Sequence, residues 1–281
     1  MIYTVISRTD ILTEYFDKLD CKEGIFSEDV LEYISDTKNH KVRCERISAY
    51  TSLLYSLEKI FGLKPKRIMR TDKGKPFIEE GVSFSLSHTN GLCAVTLSDS
   101  QEVGVDIQEL ISEKTGERVT GRFLSKLNFS EADIKITFLY LRYNSSDELT
   151  LIPLFSDGST SSVDGVSVSV DTEFFGNDEI HHVTHTAFAE DGNSLSILNT
   201  FSNDSKPCSD STTSTEGESS FVASLFYTKK WTSAEAASKL CGGGLCEILN
   251  NGEISEKVSC SLISLNFSDK YYLLANAVFA V

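Results

Sequence analysis

The chain has 281 residues, 40% of them hydrophobic, enough for one large or two small domains with a substantial core. A net charge of −15, from 26 basic and 41 acidic residues, argues against a general nucleic-acid binder. The apolar runs fall far short of a membrane span, the opening Met1-Ile-Tyr-Thr-Val-Ile6 lacks the features of a secretion signal, and seven scattered cysteines without CxxC pairing suit a reducing cytosol. We therefore expect a cytoplasmic protein with no membrane or nucleic-acid partner.

In chain order, Met1 to Ile6 reads as an opening strand, and Ser27 to Ile34 as a capped helix. Between Asp36 and Lys75 lie eleven basic residues against four acidic ones, whereas Leu141 to Ser220 holds two against fourteen. Such a basic region can steer a polyanion or an acidic partner; it can equally be a solvated helix face. Within it, Ile47, Tyr50, Leu54, Leu57 and Phe61 step by three and four, and Gly62 offers a stop, which predicts a long helix. Arg46 sits beside this apolar seam, where its guanidinium can lie at the edge of whatever the helix packs against. Arg67 to Pro76 then forms a basic loop. Gly74 allows the backbone before Lys75 to approach a ligand, although Lys75 also fits an ordinary turn.

Val82, Phe84 and Leu86 alternate along the next strand, which stops at Ser87-His88-Thr89-Asn90-Gly91; Leu92 to Leu97 resumes as an apolar run. Val103, Val105 and Ile107 alternate again, so Gly104, Asp106 and Gln108 share the opposite face. We read these strands as a meander with Ser87, His88 and Asp106 at polar strand ends. A buried Asp106 needs a cation, donors or solvent. Taken singly, Asp106 also fits a turn acid, and His88 a satisfied turn histidine.

Further on, 148–155, 163–170 and 195–201 alternate like exposed strands, and 203–220, rich in Ser, Thr and acids, reads as disordered. His181-His182-x-x-His185 lies between; a solvated turn explains it as simply as a metal site. Glu235 and Lys239 are four apart and share a helix face before Gly242-Gly-Gly244. Thr232-Ser-Ala-Glu235 has capping-box spacing, so Glu235 can also be read as satisfying a helix start. Val258 to Val281 supplies a closing hairpin.

Four ordered motifs, Gly74-Lys-Pro76, Phe84-x-x-Ser87-His88, Gly104-Val-Asp-Ile107 and Trp231-x-x-x-Glu235-Ala236-x-x-Lys239-x-x-Gly242-x-Gly244-Leu245, resemble those of the larger single-chain 4′-phosphopantetheinyl transferases. The resemblance implies an α+β fold of two similar α/β subdomains related by a pseudo-two-fold, 1–100 and 101–281, with the site between them. The 129 positions from Asp106 to Glu235 exceed the family's usual spacing, which implies a β-rich and partly disordered insertion at about 141–220 in the second subdomain. It further implies a monomer that transfers 4′-phosphopantetheine from coenzyme A to a serine of an apo acyl or peptidyl carrier protein. On the same grounds Arg46, Lys75, Ser87 and His88 contact coenzyme A; Asp106, Gln108 and Glu235 hold Mg²⁺; Glu235 acts as base; and Lys239 steadies the departing phosphate. Two positions depart from the family: Gln108 replaces a third acid found in many relatives, and Ala234 replaces the lysine of a Lys-Glu-Ala triplet. A non-catalytic binder of coenzyme A or of a carrier protein is the competing expectation.

Overall fold

The apolar residues that open the chain form strand β1 (Ile2–Arg8), with Val5 and Ile6 fully buried. The computed structural model describes residues 1–10, 28–65, 67–123, 129–131, 134–143, 148–154, 161–163, 166–169, 183–188, 194–199, 216–245, 257–268 and 270–279. Helices α1 (Glu28–Ser35) and α2 (His40–Phe61) follow, then the small hairpin β2 (Met69–Arg70) and β3 (Pro76–Phe77), and strands β4 (Ser83–Thr89), β5 (Leu92–Ser98) and β6 (Gly104–Glu109). Next come α3 (Glu113–Phe123), β7 (Ser130–Glu131), β8 (Ile136–Tyr143), β9 (Leu149–Pro153), β10 (Ser161–Val163), β11 (Val166–Ser169) and the paired β12 (Val183–Phe188) and β13 (Ser194–Asn199). Helix α4 (Glu216–Cys241) and the hairpin β14 (Val258–Phe267) and β15 (Lys270–Phe279) close the chain. The protein is thus mixed α+β. No helix among the described residues is long and apolar enough to cross a membrane.

Two main sheets organise these elements. The first has the order β4-β5-β1-β8-β9, antiparallel except for the β1–β8 pair; the second runs β10-β11-β14-β15-β6 and is antiparallel along that order, with β7 beside β14. Helix α2 covers one face of the first sheet, where Tyr50, Leu53 and Leu57 meet Val5, Phe84, Val95 and Leu97. The sheets face each other through Ile6, Leu92 and Ala94 on one side and Val105, Ile107, Leu265 and Leu274 on the other. Beyond the second sheet, α4 lays Ala236, Ala237 and Leu240 on Val258, Cys260, Ala275 and Ala277. Each sheet is therefore buried between a helix and the other sheet, which is why its central strands are apolar on both faces.

The helix predicted from the step of three and four is α2, capped by Asn39 and ended by Gly62 in the left-handed region at φ 65°. The meander does not hold. Strands β4 and β5 pair as expected, but β6 leaves them and pairs with β15 in the other sheet. Its free edge is met by hydroxyls instead of a strand. The Oγ atoms of Ser83, Ser85 and Ser87 accept from the N–H groups of Val103, Val105 and Ile107 at 3.4, 3.0 and 3.2 Å. Ser85 and Ser87 are buried, so these hydroxyls satisfy backbone donors that water cannot reach.

The described part of the 141–220 stretch is rich in strands, as expected of the insertion, but β9, β10 and β11 are built into the two main sheets. Strand β9 is an edge of the first sheet with Leu149 buried, and β11 joins the second sheet with Val166 at 0% exposure. Residues 216–220, expected to be disordered, form the first turn and more of α4. Leu149, Leu154 and Val166, apolar residues of the first two alternating segments, are buried in the core. His181 and His182 lie outside the described residues, as do 203–215; His185 is in β12, opposite Ile197.

Candidate active site

Glycine sets the geometry at the junction of β6 and α4. A Cβ on Gly104 would lie 2.0 Å from the Ala236 carbonyl oxygen and 2.7 Å from the Leu240 nitrogen, so only a residue without a side chain lets the helix rest on the strand. Ala234, Ala236 and Ala237 are all at 0% exposure and keep that approach short. The contact suspends Glu235 and Lys239 above the face of β6 that carries Asp106 and Gln108.

All eight residues expected to form a site, Arg46, Lys75, Ser87, His88, Asp106, Gln108, Glu235 and Lys239, line one cleft of about 510 Å³. They come from α2, the β2–β3 hairpin, β4, β6 and α4. Arg70 and Lys73 also line it, so five permanent cations face two carboxylates in a chain whose overall charge is −15. Charge of this sign and confinement suits a polyanion.

Asp106, 5% exposed, lies within β6 rather than at its end. Its Oδ1 accepts from Lys239 Nζ at 2.7 Å and from Ser87 Oγ at 2.8 Å. Lys239 also donates to Ser87 at 2.9 Å, across 152 positions of sequence. The Ser87 proton is therefore committed to Asp106, and the hydroxyl links carboxylate and ammonium instead of standing free for a phosphate. Asp106 Oδ2 is buried without a partner among the described residues.

Glu235 is half-buried next to this group. Burial pushes its carboxyl above the ordinary carboxylate range, the negative charge of Asp106 pushes it further, and Lys239 offsets part of the rise. The capping-box alternative for Glu235 fails, because Thr232 and Glu235 lie deep inside a helix that begins at Glu216, and the Thr232 hydroxyl bonds back to the Thr228 carbonyl. Ala234 points away from the cleft into the core against β14 and β15.

The cationic end is built by α1, α2 and the hairpin. Arg46 and Arg70 stack on the Tyr33 ring at 3.9 and 4.0 Å, and Arg46 donates to the Tyr33 carbonyl. The Nε atoms of both arginines are buried without partners among the described residues. Thr71 and Gly74 close the hairpin, with Gly74 at φ 83°, and so fix Lys75. Lys75 Nζ donates to Glu102 at 2.7 Å and to the Leu240 carbonyl at 3.1 Å, which caps the end of α4. Burial alone would raise the Glu102 carboxyl, but Lys75 and Ser83 outweigh it and hold it below the ordinary range.

Sequence reasoning did not single out Tyr33, Arg70 or Glu45. Arg70 sat within the basic loop as one cation among several. Glu45 heads a buried small-residue stripe, Ser48, Ser52 and Ser56, and an acid on that stripe is the signal that could have marked it.

The oxygen donors fit a hard divalent cation in type: two carboxylates and an amide, with Asp106 Oδ2 buried and unused. Among the described residues no three His, Cys, Asp or Glu side chains cluster for a metal, in keeping with the amide at Gln108. No protein-family model matches the chain, and a search of curated proteins returns no match. The residues of the cleft are therefore what a functional reading rests on.

Proposed function

We propose that the chain is a 4′-phosphopantetheinyl transferase, with the two-subdomain fold of that family. It moves the phosphopantetheine arm of coenzyme A to a serine hydroxyl of an apo acyl or peptidyl carrier protein, in the cytoplasm, as a monomer. The bond from serine oxygen to the arm's phosphorus forms, the pyrophosphate bond breaks, and adenosine 3′,5′-bisphosphate leaves. The observation that carries this is the convergence of all eight residues on one cationic cleft that also holds a buried, half-unpaired carboxylate.

Catalysis of this kind is mostly positioning and charge neutralisation. Arg46, Arg70, Lys73 and His88 offer donors and positive charge to the phosphates of coenzyme A. Glu235, whose raised pKa makes it a better proton acceptor than an ordinary carboxylate, takes the serine proton. Lys239, held by Asp106 and Ser87, presents its remaining donor capacity to the phosphate that departs. Asp106 and Glu235, with Gln108, would hold Mg²⁺, which when bound neutralises developing charge on the pyrophosphate.

The competing reading, a non-catalytic coenzyme A binder, is favoured by the amide at Gln108, which leaves two carboxylates. Incubation with coenzyme A, Mg²⁺ and a panel of apo carriers, followed by mass spectrometry of the carrier, separates them. Transfer gives the phosphopantetheine mass gain; coenzyme A binding without any gain favours the binder. Asp106→Ala should abolish the gain while leaving a folded protein, and full activity in that variant would remove Asp106 from the mechanism.

A further inference from the structure

We infer that Glu45 is a positioning residue: its buried carboxylate accepts from His88 Nδ1–H and so orients the ring, which, doubly protonated when a phosphate group binds in the cleft, donates to that group through Nε2–H. The inference deepens the coenzyme A reading and rests on it for the identity of the anion. Glu45, in α2, is 6% exposed, and its Oε2 lies 3.1 Å from His88 Nδ1. No other hydrogen bond to either side chain is seen among the described residues. An ionised carboxylate only accepts, and leaving it buried without a donor is costly, so the proton of the pair belongs on Nδ1.

His88 lines the cleft with its side chain 26% exposed, while its Nδ1 is turned to α2. Nε2 is then the ring nitrogen available to a ligand. A neutral ring protonated at Nδ1 would show a phosphate the lone pair of Nε2, which repels it. An imidazolium shows it a charged donor. The Glu45 carboxylate, on the Nδ1 side of the ring, is the counter-charge to that imidazolium. Glu45 does not line the cleft, so it acts through His88 alone.

The test uses the full chain with ¹⁵N-labelled histidine, His88 being assigned by its loss in His88→Gln. Wild-type His88 should carry its proton at Nδ1, and saturation with coenzyme A should bring both ring nitrogens to the protonated shifts. Glu45→Gln, which keeps an acceptor but removes the charge, should abolish that second protonation and weaken coenzyme A binding roughly tenfold, the difference between a charge-assisted and a neutral hydrogen bond. Because Glu45 acts through His88, Glu45→Gln combined with His88→Gln should bind no worse than His88→Gln alone. A wild-type ring protonated only at Nε2 overturns the inference, and needs no variant to fold. So do unchanged shifts and affinity in Glu45→Gln. If wild type fails to bind coenzyme A, the reading of the cleft falls; inorganic pyrophosphate then serves as the probe, and Glu45 stands only if pyrophosphate shifts His88 in wild type and not in Glu45→Gln.

Discussion

A carboxylate as buried as Asp106 needs compensation at both oxygens, yet the cleft supplies it only at Oδ1. Unused acceptor capacity of that kind, beside a second acid, is a liability for folding and is the feature most easily explained by a ligand. Glu235 bears the consequence. Its raised pKa means that the folded state disfavours its charged form, so its contribution to stability is best below the ordinary carboxylate value of 4.5 and is lost as pH rises through the raised folded value. Glu235→Gln should therefore be more stable than wild type at pH 7 in metal-free buffer, with the gain shrinking to nothing below pH 4.5; denaturant melts across pH check this. A loss of stability at pH 7 would mean that Glu235 makes favourable contacts outweighing its burial. Ala234 teaches the reverse lesson: adjacent in sequence to the proposed base, it belongs to the core.

At the scale of elements, α4 is placed by what β6 lacks. Gly104 and the alanines at 234, 236 and 237 bring helix and strand together, and Lys75 from the β2–β3 hairpin caps the last turn through the Leu240 carbonyl. Gly104→Ala would put a methyl 2.0 Å from a backbone oxygen, which only a shift of the helix can relieve. Overpacking of this sort costs about 3 kcal/mol. The shift also displaces Glu235 and Lys239 from Asp106, so transfer should fall at least a hundredfold even where the variant remains folded. Equilibrium unfolding and the carrier mass assay, run on the same preparation, read both effects.

Across the whole molecule, the two sheets meet in a shared apolar core and along the hydroxyls of Ser83, Ser85 and Ser87. A second junction, Thr4 and Thr96 donating to Asn276 Oδ1 at 2.9 and 2.6 Å, ties β1 and β5 to β15. The cleft opens where the sheets abut, so its floor depends on the serine row. Ser85→Ala leaves the Val105 amide without its acceptor and should cost about 1–3 kcal/mol. Hydrogen exchange at Val105 should accelerate more than exchange in the centre of β1, and equal acceleration at both would show a global effect with no local role for the hydroxyl.

The sequence by itself determined the elements whose pattern is local: α2 with its glycine stop, β4 and β5, the alternating face of β6, and the closing hairpin. It also brought forward eight of the residues that line the cleft, through the resemblance of their ordered motifs to a known family. What it could not determine was which strand β6 joins, the depth of Glu235 within its helix, the direction in which Ala234 points, or the burial of Glu45 behind His88. Periodicity is written in neighbouring residues, whereas those outcomes depend on contacts between groups as far apart as Ser87 and Lys239, and only packing two sheets and two helices around one core brings such groups together.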